Sequence, residues 1–383
     1  MITVPVNKDI LFWAMERSGL TIEELQSRFS KIRQWVSGQR QPTLRQLEAL
    51  AKATATPLGY FFLDEPPEER LPIPYFRTFD ENQAHPFSAD LLDSVHAMQQ
   101  RQFWLREYLI EQGQEKLPFV RSADLREHPV AIAERIRETL GLDDAWASSF
   151  STWTEALKVL RETMENTGFI VVVNGIVGNN THRKLDPGEF RGFVLVDEYA
   201  PLVFVNGADS KAAQMFTLAH EIVHVWFGSS AAFDLRQMTP ASDPVEQACN
   251  QIAAELLVPE HQIRQIWSSV KSEAEPFQVL ARRFKVSALV AARRALDLRL
   301  INKPKFLTFY HSYLRNERRT ATNQAGGGDF YANQNFRVGH KFAVSVFRAV
   351  KEGKLLYSDA YKLTGLHGKT FSSYAAHLGI GGM

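Results

Sequence analysis

The stretch "FTLAHEIVHVWFG", residues 216–228, constrains this chain more than any other. Phe216, Leu218, Ala219, Ile222, Val223, Val225, Trp226 and Phe227 surround three polar residues, His220, Glu221 and His224. A helix that is apolar on every side is a buried helix. Burying a polar group without a partner costs roughly 1–3 kcal/mol by mutational measures, and a lone carboxylate far more. The fold must therefore supply partners for two imidazoles and a carboxylate inside a core.

Helical geometry indicates the partner. Residues four apart lie one turn apart on the same face, so His220 and His224 present their imidazoles side by side. Glu221 is rotated by about 100° from His220 and flanks the pair. Three protein ligands leave a zinc ion one position for water. The ion lowers the pKa of that water to about 7, and a flanking carboxylate can take its proton. The motif thus reads as a catalytic metal site, with His220 and His224 as ligands and Glu221 as general base.

A third ligand must come from elsewhere, since the next histidine after His224 is His261. "SDPVEQACNQIAAELLVPE" reads as a helix with Asp243 as N-cap and Pro244 at the first position. Glu246 has two readings, a capping-box partner of Asp243 or an inward-turned ligand. Asn250, one turn later on the same face, reads as an outer hydrogen-bond partner. Glu255 is the competing ligand, on the opposite side of the helix between Ala254 and Leu256.

The chain of 383 residues exceeds one ordinary core, so two to four domains are expected. Its hydrophobic content of 45% and charge of 23% are those of a globular protein. The single cysteine, Cys249, excludes an intramolecular disulfide and suits a reducing compartment. "MITVPVNKDILFWAMERSG" lacks the long apolar run of a signal peptide, and no run of 18 apolar residues occurs. A cytoplasmic protein with no membrane partner is expected.

The net charge of +1 conceals an asymmetry. Residues 1–63 carry 8 Lys and Arg against 5 Asp and Glu, and residues 301–383 carry 12 against 4. Basic ends around an acidic middle suit contact with a polyanion.

Residues 1–63 read as short helices. Ile10, Leu11, Ala14 and Met15 form an apolar stripe. Thr21 with Glu24 forms a capping box, a third helix is expected over about Ser30–Val36, and Thr43 caps "LRQLEALAKAT". The stretch "SGQRQPTLRQLEALAKATATPLGYFFL", with Trp35, Gly38 and Pro42, resembles the helix-turn-helix of phage-repressor (XRE-type) proteins. That resemblance implies DNA contacts, for which Lys31, Arg33, Gln34, Gln39 and Arg40 are the available side chains; the alternative is a helical module that binds another protein. The turn in "ELQSRFSKIRQWVSG" is shorter than is usual for such repressors.

Residues 64–127 are expected to be a proline-rich linker, "DEPPEERLPIPYFRT", then a helix over 88–112 whose Phe103, Trp104 and Tyr108 serve core or interface. Helices are expected at 129–140 and 154–166, strands at "GFIVVVNG", "RGFVLVDE" and "PLVFVNG", and helices again at 244–258 and 276–298. This order makes a domain over 128–300 and an α+β, mostly helical class. Residues 301–383 form a basic C-terminal domain, expected as a strand and loop in "INKPKFLTFYHSYLRNERR", a glycine loop in "QAGGGDFY", and helices. The glycine loop is a candidate cover for the cleft, and Tyr331 and His311 are candidate partners for an oxyanion.

"VFVNGADSKAAQMFTLAHEIVHVWFG" followed by "EQACNQIAAELLVP" resembles the ImmA/IrrE family of bacterial metallopeptidases, which pairs HExxH with a glutamate opening an E-x-x-[AC]-N-x-x-A helix. The resemblance implies a zincin-like peptidase domain with a small sheet and one Zn2+ (Mn2+ or another divalent ion as alternative). The ligands it implies are His220, His224 and Glu246, with Glu221 as base. Members of that family are linked to proteolysis of transcriptional repressors, and some related genes sit beside toxin genes. The expected partners are thus a repressor substrate or cognate toxin, double-stranded DNA, and a second copy of the chain. The alternative expectation is an antitoxin or transcription regulator whose metal site is not proteolytic.

Overall fold

The N-terminal helices form because their ends are satisfied locally. In the computed structural model, which describes residues 3–69, 71, 75–76, 87–229, 231–233, 243–320 and 334–381, α1 (Lys8–Ser18) starts at Asn7, whose side chain accepts the Asp9 N–H, and stops at Gly19 in the left-handed conformation. α2 (Ile22–Arg28) and α4 (Leu44–Ala53) each open with a capping box, Thr21 with Glu24 and Thr43 with Gln46. α3 (Ile32–Val36) follows α2 after the short turn Phe29–Lys31. Ile10, Leu11, Ala14 and Met15 pack with Leu25, Ile32, Trp35, Leu47, Leu50 and Phe61 in one buried cluster. Arg17 is buried too; it donates to Glu69 at 2.6 Å, to the Ala55 carbonyl at 2.7 Å and to Asp93 at 3.3 Å. A buried charge is tolerable only when paired in this way. All these groups lie in the first of two compact units, Met1–Pro72 with Phe79–His96.

The second unit, Ile73–Thr78 with Ala97–Met383, is built on a sheet. In chain order the strands are β1 (Tyr75–Phe76), β2 (Ile170–Asn174), β3 (Ile176–Val177), β4 (Asn180–Lys184), β5 (Gly192–Leu195), β6 (Leu202–Asn206) and β7 (Ala231–Phe233). Five form a mixed sheet in the order β1-β7-β5-β6-β2, while β3 and β4 pair as a separate hairpin. β2 and β6 are parallel, with Ile170 opposite Leu202. β5 is antiparallel to β6 and to β7, with Gly192 opposite Val205 and Phe233. Every residue of β2, β5 and β6 is buried. This explains why their sequences are continuous Val and Phe runs without alternation.

Helices cover this sheet. α5 (Ala89–Glu111), α6 (Pro129–Leu140) and α7 (Trp153–Thr167) lie close to their expected places. Phe103 of α5 is 66% exposed, so it is not a core residue, whereas Trp104 stacks on Tyr108 at 5.3 Å. α8 (Lys211–Phe227) packs on β5, β6 and α7, and α9 (Pro244–Leu257) packs on α8 and α6. α10 (Glu260–Val270) was not anticipated. The single helix expected over 276–298 is two, α11 (Pro276–Phe284) and α12 (Ala288–Asp297), because Lys285 takes a left-handed φ of 54° and Ser287 caps a new start.

The expected strand and loop after residue 301 is instead α13 (Lys303–Thr320). Its aromatic content resembles a strand, but Phe306, Phe309, Tyr310 and Tyr313 recur at helical spacing and pack on the core. Asn302 caps this helix by accepting the Lys305 N–H at 3.0 Å. A π-helical turn, Asn335–Gly339, then packs beside β2, followed by helices His340–Lys351, Tyr357–Thr364 and Gly368–His377. Buried arginines hold this region. Arg161 donates to the Asn335 carbonyl at 2.9 Å, and Arg101 donates to the carbonyls of Arg337 and Leu363. The architecture is α+β and mostly helical. Among the described residues no helix is long and apolar enough to cross a membrane.

Candidate metal centre

α8 starts where Ser210 accepts the Ala213 N–H and ends at Gly228, whose φ of 75° needs a residue without a Cβ. Every residue from Gln214 to Trp226 is buried, so the helix runs through the core. One turn apart, the rings of His220 and His224 have centroids 4.9 Å apart and Nε2 atoms 3.1 Å apart.

α9 supplies the third group. Asp243 caps it, accepting the N–H groups of Val245 at 2.7 Å and Glu246 at 3.2 Å, and Pro244 takes the first position. The Glu246 carboxylate faces α8, with one oxygen 3.2 Å from His220 Nε2 and the other 3.1 Å from His224 Nε2. The Glu246 side chain therefore turns towards the two histidines of α8. Glu255 lies elsewhere: it pairs with Arg294 and accepts the Glu260 N–H at 3.1 Å, tying α9 to α12 and α10.

Electrostatics sort these groups. Burial alone would raise the Glu246 carboxyl, but hydrogen bonds and charge from the two histidines hold it down at about 2. Burial lowers the pKa of His220, and Glu246 works against that; Asn250 also favours its protonated form. Glu221 is 0% exposed, and among the described residues neither of its carboxylate oxygens has a hydrogen-bond partner. Burial, then the charge of Glu246, pushes its pKa well above the ordinary value. Two imidazole nitrogens and a carboxylate converge on one point, and a second carboxylate lies buried with no hydrogen-bond partner among the described residues. A divalent cation fits this donor set, since it would satisfy the converging lone pairs and favour ionisation of Glu221.

Three neighbours were not anticipated. Cys249, one turn after Glu246, places its thiol within 4.8 Å of ligand atoms of both histidines. Burial pushes that thiol's pKa well up, so it is neutral, while the Glu246 oxygens lie 3.1–3.2 Å from the two imidazole Nε2 atoms. Gly192 makes room for Glu221: a Cβ there would lie 3.3 Å from Glu221 Oε1, 2.6 Å from Thr217 Cγ2 and 2.8 Å from the Phe204 carbonyl. Ser229 Oγ lies 3.0 Å from His224 Nδ1. Spacing offered a signal for Cys249, at i+3 from Glu246. None existed for Gly192, which reaches the site through the sheet.

The other sequence candidates are not part of this cluster. Arg33 is tied to Glu23 and Gln26 at 2.7 Å each, Lys31 is half-buried, and Gln34, Gln39 and Arg40 are exposed. His311 is exposed on α13. Tyr331 and the glycine loop lie outside the described residues.

The model of the IrrE N-terminal-like domain, the Peptidase M78 family, matches residues 178–296. This stretch runs from the β3–β4 hairpin through α12 and contains His220, Glu221, His224 and Glu246. Residues 178–296 are similar to the IrrE N-terminal-like domain. The IrrE-like domain thus holds the whole histidine–carboxylate cluster, while α7 and β2 precede the match and pack on it from outside. A second family model, a domain of unknown function (DUF8813), matches residues 338–377, the closing helices. No curated protein matches the chain.

Proposed function

We propose that this protein is a metal-dependent endopeptidase acting on a regulatory protein such as a transcriptional repressor. The observation that carries the reading is Glu221, a fully buried carboxylate with no hydrogen-bond partner among the described residues, beside the converging His220, His224 and Glu246. The match to a peptidase family over the same residues supports it. His220, His224 and Glu246 would hold the ion, Zn2+ first and Mn2+ or another divalent ion as alternative. When bound, the ion supplies Lewis acidity that polarises a peptide carbonyl and makes water nucleophilic near neutral pH. Glu221 takes the proton of the attacking water on a carboxylate oxygen and returns it to the departing amide nitrogen. The apolar wall of α8 excludes bulk water from that transfer.

The test compares wild type with Glu221→Gln on a candidate repressor. Cleavage by wild type alone supports the mechanism, and equal cleavage by both removes it.

A second reading has its own observation. His220, Glu221 and His224 are 0% exposed and Glu246 is 3% exposed, so the site is closed in this conformation. That closure favours a metal site that is not proteolytic or is latent until triggered; in this reading the chain acts by binding promoter DNA or a toxin through residues 1–63. DNA binding of this kind weakens steeply with salt, because each neutralised phosphate releases counterions. Retention of DNA affinity when Lys31 and Arg33 are both replaced by Ala would show that another surface is the reader.

A further inference from the structure

We propose that Ser229 is a positioning residue of the metal centre, fixing the tautomer and orientation of His224. The inference rests on the reading of His220, His224 and Glu246 as metal ligands.

Gly228 adopts φ 75°, and the chain turns back so that the Ser229 N–H donates to the His224 carbonyl at 3.1 Å. This is the six-to-one bond of a Schellman turn. It sets the residue after the glycine directly against the last turn of the helix. The Ser229 hydroxyl then arrives 3.0 Å from His224 Nδ1. The turn is anchored from outside as well. Arg121 N–H donates to the Val225 carbonyl and Ala123 N–H to the Trp226 carbonyl, both at 3.0 Å. A Cβ on Gly228 would lie 2.2 Å from Arg121 Cγ, so this packing holds the glycine in place.

His224 is therefore gripped at both ring nitrogens. Nε2 faces His220 Nε2 and Glu246 at 3.1 Å, while Nδ1 faces the hydroxyl. An imidazole carries one proton when neutral, and only the nitrogen without it can ligate a cation. With Nδ1–H donating to Ser229 Oγ, the Nε2 lone pair points to the converging donors. In the other tautomer the hydroxyl would donate to Nδ1 and the Nε2 proton would block ligation. A hydrogen bond on the distal nitrogen orients the ring and raises its basicity, and loss of such a partner typically costs 10- to 100-fold in metal affinity.

The experiment measures Zn2+ affinity of the full chain by competition with a chromophoric chelator, for wild type, Ser229→Ala and Ser229→Thr. A long-range nitrogen–proton spectrum of the zinc-loaded protein reports the His224 tautomer. The expected result is binding about 10-fold or more weaker for Ser229→Ala, near-wild-type binding for Ser229→Thr, and an Nδ1–H tautomer in wild type. Equal thermal melting of the metal-free forms would separate this loss from misfolding. Unchanged affinity in Ser229→Ala, or no rescue by Thr, overturns the role of Ser229 while leaving the metal site intact. Absence of zinc binding by wild type, with His224→Ala indistinguishable from it, overturns the ligand reading and this proposal together.

Discussion

Asp243 and Glu246 share the first turn of α9 and divide its work. Asp243 accepts the Val245 and Glu246 N–H groups at 2.7 and 3.2 Å, and the Glu246 carboxylate is thereby left to face His220 and His224. One acidic residue completes the helix end and the other completes the donor set.

That division predicts a double dissociation. Asp243→Ala lowers stability by about 1 kcal/mol, the usual cost of losing an N-cap, and leaves zinc binding largely intact. Glu246→Ala abolishes tight zinc binding with less effect on the metal-free fold. Denaturant unfolding and chelator competition on both variants check this.

Gly192→Ala destabilises the protein by about 1–3 kcal/mol, the range for overpacking a filled core. The added methyl meets Thr217 Cγ2, the Phe204 carbonyl and Glu221 Oε1. Adding Thr217→Ser relieves only the first of these contacts, so stability recovers in part. Urea unfolding of the single and double variants measures the difference.

Arg17→Met destabilises the N-terminal unit by about 3 kcal/mol, because breaking a buried pair leaves its partners uncompensated. The partners are Glu69 and Asp93, at 2.6 and 3.3 Å. Unfolding followed by the fluorescence of Trp13 and Trp35 reports that unit.

Stability depends on pH through Glu165. Burial pushes this carboxyl up to about 7, against the pull of Arg161, while it accepts the His340 N–H at 2.8 Å. A carboxyl whose folded pKa is raised binds its proton more tightly folded than unfolded. Its contribution is therefore full below the unfolded value of about 4.5 and declines as pH rises towards about 7. Wild type should lose stability between pH 5 and pH 7.5, by up to a few kcal/mol. Glu165→Gln should flatten that slope, and matched slopes in denaturant titrations would contradict it.

Much of the site was legible in the sequence because its parts are local. HExxH spacing alone places two imidazoles on one face, and an apolar frame around them implies burial. The caps at Thr21, Thr43 and Asp243 were legible for the same reason: a capping bond spans only two or three residues. α13 was misread because aromatic content and helical spacing compete over a short window, and the core that Phe306 and Phe309 join is visible only in three dimensions.

The HExxH stretch alone identifies the helix that carries the histidine pair and its flanking carboxylate. Where Glu246 turns, that Gly192 leaves space for Glu221, and that Ser229 meets His224 Nδ1 are set by packing in three dimensions. The reason is range. Helical periodicity fixes which residues share a face, but the partner of that face comes from a different strand, turn or helix, and packing alone brings it there.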